Sequence, residues 1–182
     1  MNKYFILLLL FGVLSCKKEE IKKKAALIPP APAIITQPEG KALPVDSLLL
    51  VPFNSKTLTE FYKSSGYKTV WQSEKHRKII LKQLLDSEEE GLHPADYKVT
   101  KLQKYERKFT LLNDEEIVNY DILLTRNLQK YMYHLTNGRL NPRALYPDWD
   151  LKENKIEINE TIASFFKNDS LAYKIDQLKP NH

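Results

Sequence analysis

The stretch EEIVNYDILLTRNLQKYMYHLT, residues 115–136, carries the longest helical pattern in the chain. Its apolar residues recur at spacings of three and four, the period of one face of an α-helix. This stripe consists of Ile117, Tyr120, Leu124, Leu128, Tyr131 and Leu135. Asn113 or Asp114, with Glu116 close behind, supplies a starting signal, and Gly138 supplies the stop. The pattern predicts the longest helix of the fold.

One carboxylate lies inside this predicted helix. Asp121 stands between the apolar neighbours Tyr120 and Ile122. Aspartate is rarely buried in a protein unless it is paired. We therefore expect Asp121 either to be exposed or to be paired in the core, with backbone groups or with Arg126 or Arg139 as its partners.

Shorter patterns flank the long helix. Residues 48–51 (LLLV) and 67–71 (YKTVW) are apolar or β-rich runs that predict short strands or buried extended segments. Ser73 is a capping residue for a helix that runs to about Glu90, with Gly91 as its stop. Shorter helices are predicted around residues 55–65, 100–107, 159–166 and 171–178. The sum of five or six helices and two or three short strands indicates a compact, mainly α domain, with α+β as the alternative.

The first sixteen residues have the form of an export signal that ends in a cysteine. Residues 4–14 form an apolar run of the length of a signal core, which is too short to span a membrane. Residues 13–16 (VLSC) resemble a lipoprotein box, and Cys16 is the only cysteine in the chain. We expect residues 1–15 to be a lipoprotein signal peptide and Cys16 to carry the lipid. The alternative is an ordinary secretory signal with a chance cysteine.

This anchor predicts a membrane-attached lipoprotein of the cell envelope, facing the periplasm. Residues 16–46 are rich in Lys and Glu and then in Pro, which predicts an extended tether. The folded domain is expected over residues 47–182. The formal net charge is +5, and we identify no basic stripe with interleaved aromatic residues in the sequence. We therefore expect no nucleic-acid partner.

No catalytic motif emerges from the folded part. With Cys16 placed at the anchor, no cysteine is left as a nucleophile. The five glycines are isolated and cannot form a phosphate-binding loop. None of the histidines is spaced i, i+4 from another, so a helical zinc site is unsupported. No spacing singles out a carboxylate pair for acid/base work, although the composition leaves one open. We expect no catalytic residue, no metal and no cofactor.

Four motifs occur in the same order along the folded part. They are residues 58–71 (LTEFYKSSGYKTVW), 90–97 (EGLHPADY), 120–125 (YDILLT) and 138–149 (GRLNPRALYPDW). Together they resemble the scaffold region of large, multidomain L,D-transpeptidases. The motif residues, which we interpret as fold determinants, are Trp71, Gly91, Pro94, Asp96, Tyr97, Asp121, Gly138, Arg139, Pro142 and Trp149.

The resemblance implies a place in peptidoglycan remodelling, because such enzymes form 3→3 crosslinks between stem peptides. They use a cysteine in a His-Gly-Cys type motif of a catalytic domain that follows the scaffold, and this chain has no such motif. We therefore expect a non-catalytic scaffold module, an N-terminal fragment of an enzyme whose catalytic domain is its partner in cis.

The alternative is a standalone lipoprotein that binds peptidoglycan or a protein partner. Candidate residues for contact with the catalytic domain lie in the 138–149 loop, although the same side chains could equally anchor that loop in its own core. They are Arg139, Arg143, Tyr146 and Trp149.

Overall fold

The computed structural model describes residues 40–140, 148, 154–168 and 170–179. The α-helices in these residues are α1 (Lys56–Ser64), α2 (Glu74–Leu85), α3 (Val99–Arg107), α4 (Asp114–Asn137), α5 (Ile158–Asn168) and α6 (Leu171–Asp176). Short 3-10 helices cover Ser47–Phe53, Asp86–Glu90, Pro94–Tyr97 and Phe109–Leu111. The prediction of a compact, mainly helical domain is confirmed.

Helix α4 is the centre of the fold, as its long apolar stripe predicts. It packs against α1, α2, α3 and α5. Its start is fixed by a capping box in which Asn113 Oδ1 accepts from the Glu116 N–H at 2.9 Å and Glu116 Oε2 accepts from the Asn113 N–H at 3.1 Å. Tyr120, Leu124, Leu128 and Tyr131 are buried on its inner face. The expected range 115–136 differs from the observed helix by one residue at each end.

The prediction of two or three strands is wrong for the part of the chain that the structure describes. Residues 48–51 lie in the 3-10 helix Ser47–Phe53, which Asp46 caps by accepting from the Leu48 N–H. Leu50 is buried, whereas Leu48 and Val51 face outward. Residues 67–71 form no strand, since Tyr67 is left-handed with a φ of +53° and the one bridge of this segment is Pro44 to Lys68. A four-residue apolar run does not distinguish a strand from a short helical turn.

The helix after Ser73 ends earlier than its sequence pattern predicts. Helix α2 stops at Leu85, and the next residues tighten into the 3-10 helix Asp86–Glu90. Gly91 ends this segment with a φ of +69°, a left-handed conformation that glycine adopts without strain. The stop at Gly91 is therefore confirmed, although the regular α-helix ends six residues before it.

The buried core extends into the range expected to be tether. Leu43 and Val45 are buried, and the Val45 N–H donates to the Tyr67 carbonyl at 2.8 Å. Within the described residues no helix is both long and apolar enough to cross a membrane. Several predicted features lie outside the described residues, namely the signal peptide, Cys16, most of the tether, Pro142, Arg143, Tyr146 and Trp149.

Candidate functional site: the polar networks of the motif residues

Asp121 is fully enclosed beneath the extended segment that leads into α2. Its Oδ2 accepts the main-chain N–H groups of Val70 at 2.9 Å and Trp71 at 2.8 Å. Its Oδ1 accepts the Tyr62 hydroxyl at 2.6 Å. These three donors come from α1 and from residues 70–71, so one carboxylate joins three separate segments. The N–H groups of residues 70 and 71 that a neighbouring strand would bind are satisfied here by a side chain.

Thr125 extends this network by one helical turn. Its Oγ1 donates to the Asp121 carbonyl at 2.9 Å and accepts the Trp71 indole N–H at 2.8 Å. The Tyr62 hydroxyl lies 2.9 Å from the same oxygen. Burial raises the pKa of Asp121 to about 6, against the lowering effect of its hydrogen bonds from Tyr62 and from the two main-chain amides. Burial and the nearby carboxylate also raise the pKa of Tyr62 well above its usual value.

The arginine partners expected for Asp121 are wrong, whereas the expectation of backbone partners is confirmed by the amides of Val70 and Trp71. Arg126 places its guanidinium over the Phe53 ring at 4.8 Å, and Arg139 pairs with Asp96. Neither arginine is needed because backbone amides and a tyrosine hydroxyl satisfy the carboxylate. The i, i+4 spacing to Thr125 was a usable signal for one neighbour, whereas Tyr62 lies 59 residues earlier and carries no local signal.

A second buried network, which the sequence did not reveal, surrounds Arg77. Its Nε lies 2.9 Å from Glu106 Oε2, and its Nη1 donates to the carbonyls of Trp71 at 3.1 Å and Gln72 at 2.6 Å. The guanidinium lies 3.6 Å from the centroid of the Phe109 ring. The Glu106 carboxylate also accepts the Tyr120 hydroxyl at 2.7 Å. Helices α2, α3 and α4 are thereby joined through one ion pair.

The EGLHPADY motif forms a corner against the C-terminal half of α4. Pro94 occupies the first turn of a 3-10 helix, where a missing N–H costs nothing. Tyr97 is buried, its ring packs edge-on against Tyr131, and its hydroxyl lies 2.9 Å from His134 Nδ1. Burial is the main cause that lowers the pKa of His134 and raises that of Tyr97. The motif therefore fixes the corner to α4.

The ion pair of Asp96 and Arg139 joins this corner to the segment that follows α4. Arg139 Nε lies 2.6 Å from Asp96 Oδ2 as an ion pair, and half of the arginine side chain stays exposed. Lys130 donates to the Asp96 carbonyl at 3.1 Å. Gly138, with φ +78°, follows the last helical residue and turns the chain toward this pair. Arg139 is thus the described member of the predicted contact set, and it lies at the surface.

The last helices return to the same end of the molecule. Lys179 Nζ lies 3.0 Å from Glu90 Oε1 and 3.1 Å from Asp176 Oδ1, and the hydrogen bond to Glu90 is the main reason that its pKa is raised. Asn154 donates its N–H to Asn137 Oδ1 at 2.6 Å beside the end of α4. The end of the described chain therefore lies against the first residue of the EGLHPADY motif.

These networks hold the fold and present no reactive constellation. Each donor or acceptor in the Asp121 and Arg77 networks is used by another protein group. Among the described residues, no group of three or more His, Cys, Asp or Glu side chains is arranged to hold a metal ion. The arrangement can transmit position between segments, because buried hydrogen-bonded polar groups specify one packing.

A family model described as "Scaffold domain" matches residues 56–182. The chain belongs to the scaffold-domain family. The matched range begins at the first residue of α1 and includes every α-helix that the structure describes. Trp71, Tyr97 and Asp121 of this scaffold domain are buried members of its polar networks. No match was found among curated proteins or among solved structures.

Proposed function

We propose that this scaffold domain is the non-catalytic module of a cell-envelope L,D-transpeptidase, attached to a membrane through a lipid on Cys16. Its role is to bind and position the catalytic domain that forms 3→3 crosslinks in peptidoglycan. The observation that carries the proposal is the family match over residues 56–182, together with the four motifs that resemble the scaffold region of these enzymes. The full enzyme would supply the catalytic cysteine.

The geometry of the described motif residues supports a positioning role. Trp71, Tyr97 and Asp121 are buried in hydrogen bonds to other parts of the domain, so they serve to hold its shape. Arg139 is half-exposed beside Asp96. The described chain ends beside Glu90, the first residue of the EGLHPADY motif, through its ion pair with Lys179. A catalytic domain that follows residue 182 would start beside this corner, and we infer that it docks there.

An assay in trans tests the proposed partnership. The Cys16→Ala chain without its signal would be mixed with a purified L,D-transpeptidase catalytic domain from which its own scaffold has been removed. We expect binding and faster formation of 3→3 crosslinked muropeptides, whereas the scaffold chain alone forms none. Arg139→Glu should weaken binding at least tenfold, whereas Lys63→Glu, at an exposed lysine of α1 away from the corner, should not.

Two results would overturn the proposal. Crosslinked product from the scaffold chain alone would make it an enzyme in its own right. A complete lack of binding to catalytic domains of this architecture would remove the positioning role. Anchoring is tested separately by acyl labelling, in which Cys16→Ser should abolish label and membrane retention while Lys24→Ser leaves both unchanged. Persistent membrane retention of Cys16→Ser would defeat the lipid anchor.

A further inference from the structure

Helix α3 presents a row of cations to solvent. Lys101, Lys104 and Lys108 follow one another at spacings of three and four, so they share one face, and Arg107 lies beside them. Val99 and Leu102 occupy the opposite, buried face. The sequence did not separate these residues from other lysines because their alignment depends on where α3 begins.

Most of these charges are not neutralised within the domain. Lys101, Lys104 and Arg107 make no ion pair and no side-chain hydrogen bond with any described residue. Lys108 is paired with Glu116 at 3.2 Å at the surface, a contact that contributes little. Glu106 is the one acid in α3, and Arg77 and Tyr120 already hold it. The positive field along α3 is therefore free to attract an anion.

A depression of about 240 Å³ runs beside this row, between α2 and α3. Its lining consists of Leu81, Lys82, Leu85, Gln103, Glu106 and Arg107. Leu85 is 48% exposed at its edge. Arg107 is the one member of the row that lines this apolar trough, and Lys82 in its lining is paired with Asp86. Lys104 and Lys101 continue the row from Arg107 away from the trough, at spacings of three residues round α3. Such a trough fits an extended chain with a thin apolar body and regularly placed negative charges.

The surroundings of the row disfavour other polyanions. The nearby aromatic rings are turned inward, since Tyr105 stacks on Tyr120 and Phe109 contacts Arg77. Bases of a nucleic acid would thus find no stacking platform beside the cations. A bilayer surface would rest on the rim and leave the trough empty. An extended chain that lies in the trough at Arg107 can continue across the exposed face of α3 to Lys104 and Lys101.

We propose that the α2–α3 trough binds an extended polycarboxylate chain, with Lys101, Lys104 and Arg107 paired to successive carboxylates. This binding site does not depend on the enzyme partnership proposed above. If that proposal is right, the domain would lie near the cell wall, and the carboxylates of the wall's peptide chains would be its polycarboxylate ligand. The wall identification therefore rests on the proposed function, while the binding itself does not.

Fluorescence anisotropy with labelled poly-L-glutamate tests the site in the Cys16→Ala chain without its signal. We expect Lys101→Glu/Lys104→Glu/Arg107→Glu to weaken binding at least tenfold. The matched control, Lys41→Glu/Lys63→Glu/Lys155→Glu, changes the net charge equally at three other exposed positions and should change the affinity less than threefold. Leu85→Asp should weaken binding, whereas Leu111→Asp, at an 82% exposed leucine outside the trough, should not.

Three results would overturn the site. Equal losses of affinity in the two triple variants would show that binding depends on net charge alone and not on the α3 row. An unchanged affinity in Leu85→Asp would remove the trough from the interaction. The surface would instead be assigned to a membrane if the protein bound vesicles of anionic phospholipid but not poly-L-glutamate, and if the α3 triple variant lost the vesicle binding. Circular dichroism of each variant would verify that α3 remains folded.

Discussion

The Tyr62 hydroxyl donates to Asp121 at 2.6 Å and thereby joins α1 to the centre of α4 across 59 residues of sequence. The same carboxylate accepts two consecutive main-chain amides, at Val70 and Trp71. A single aspartate thus replaces the neighbouring strand that these extended residues would otherwise require. This explains why a largely helical domain can keep an extended segment in its core without a sheet.

We expect Asp121→Ala to lower the free energy of unfolding by about 3–5 kcal/mol, because it leaves the amides of Val70 and Trp71 and the Tyr62 hydroxyl without their acceptor. Asp121→Asn should cost less, since its amide oxygen still accepts from the two main-chain groups. Tyr62→Phe, which removes only one donor, should cost about 1 kcal/mol. Urea unfolding at pH 7 measures all three. Equal losses of unfolding free energy in Asp121→Ala and Asp121→Asn would show that hydrogen-bond acceptance by residue 121 does not stabilise the fold.

The pH dependence of the free energy of unfolding should reflect the titration of Asp121. Its pKa rises from 3.8 to about 6 on folding because the carboxyl is buried. A raised pKa means that the folded state holds the proton more tightly, so this contribution is complete below pH 3.8 and is lost as pH rises to about 6. The loss amounts to about 3 kcal/mol.

Comparison of the wild type with Asp121→Asn isolates this contribution, because the other titrating groups are shared. The stability advantage of the wild type should shrink as pH rises from 4 to 7. Urea unfolding at one-unit intervals measures it. A growing advantage would mean that the hydrogen bonds outweigh burial and lower the pKa instead.

The helices could be predicted from the sequence because their signals are local. The apolar spacing of α4, the capping pair Asn113 and Glu116, and the stop at Gly91 each lie within a few residues of the element they define. The short apolar run at residues 48–51 failed because four residues do not fix a period. The choice between a strand and a 3-10 helix there depends on Asp46 capping the turn.

The polar networks could be foreseen only in part. Asp121 was marked by its place among apolar neighbours, but its acceptor role depends on donors from Tyr62 and residues 70–71, which only the fold brings together. Arg77 gave no signal at all, because a buried arginine on a helix looks like a surface one until its partner Glu106 is placed. The motif resemblance named Trp71, Tyr97 and Asp121, which lie buried in these networks, but it did not show what they contact.

We expect Arg77→Met to lower stability by about 3–5 kcal/mol, because Glu106 would be left with a largely buried, uncompensated charge. The double variant Arg77→Met/Glu106→Leu should lose less than the sum of the two single variants, with a coupling of about 2 kcal/mol. Urea unfolding of the wild type, the two single variants and the double variant measures this coupling energy. Strict additivity would show that the ion pair adds nothing beyond packing.

The capping box of α4 should contribute measurably despite its exposure. Asn113→Ala removes the acceptor for the Glu116 N–H and should cost about 1 kcal/mol. Asn113→Asp keeps an acceptor and adds a negative charge at the positive end of the helix, so it should be neutral or slightly stabilising. Thermal unfolding of both variants measures the effect, and a loss in Asn113→Asp equal to that in Asn113→Ala would contradict it.

Tyr97 and His134 give the last test, at the corner where we place the partner domain. Burial raises the pKa of the Tyr97 hydroxyl, so this group keeps its proton, and burial lowers the pKa of His134, so the ring stays neutral. The hydroxyl can then donate to Nδ1 across the observed 2.9 Å. Because folding lowers the histidine pKa, this pair stabilises the fold fully above pH 6.5, and its contribution is lost as pH falls below that value.

Tyr97→Phe should therefore cost about 1 kcal/mol at pH 7 and less once the pH falls below the His134 pKa, because protonated His134 no longer accepts. Tyr173→Phe, at an exposed tyrosine of α6, is the control and should change stability by less than about 0.5 kcal/mol. NMR titration should place the His134 pKa below 6.5 in the wild type. A pKa above 6.5 would mean that the Asp96 carboxylate outweighs burial, and the loss in Tyr97→Phe would then already diminish above pH 6.5.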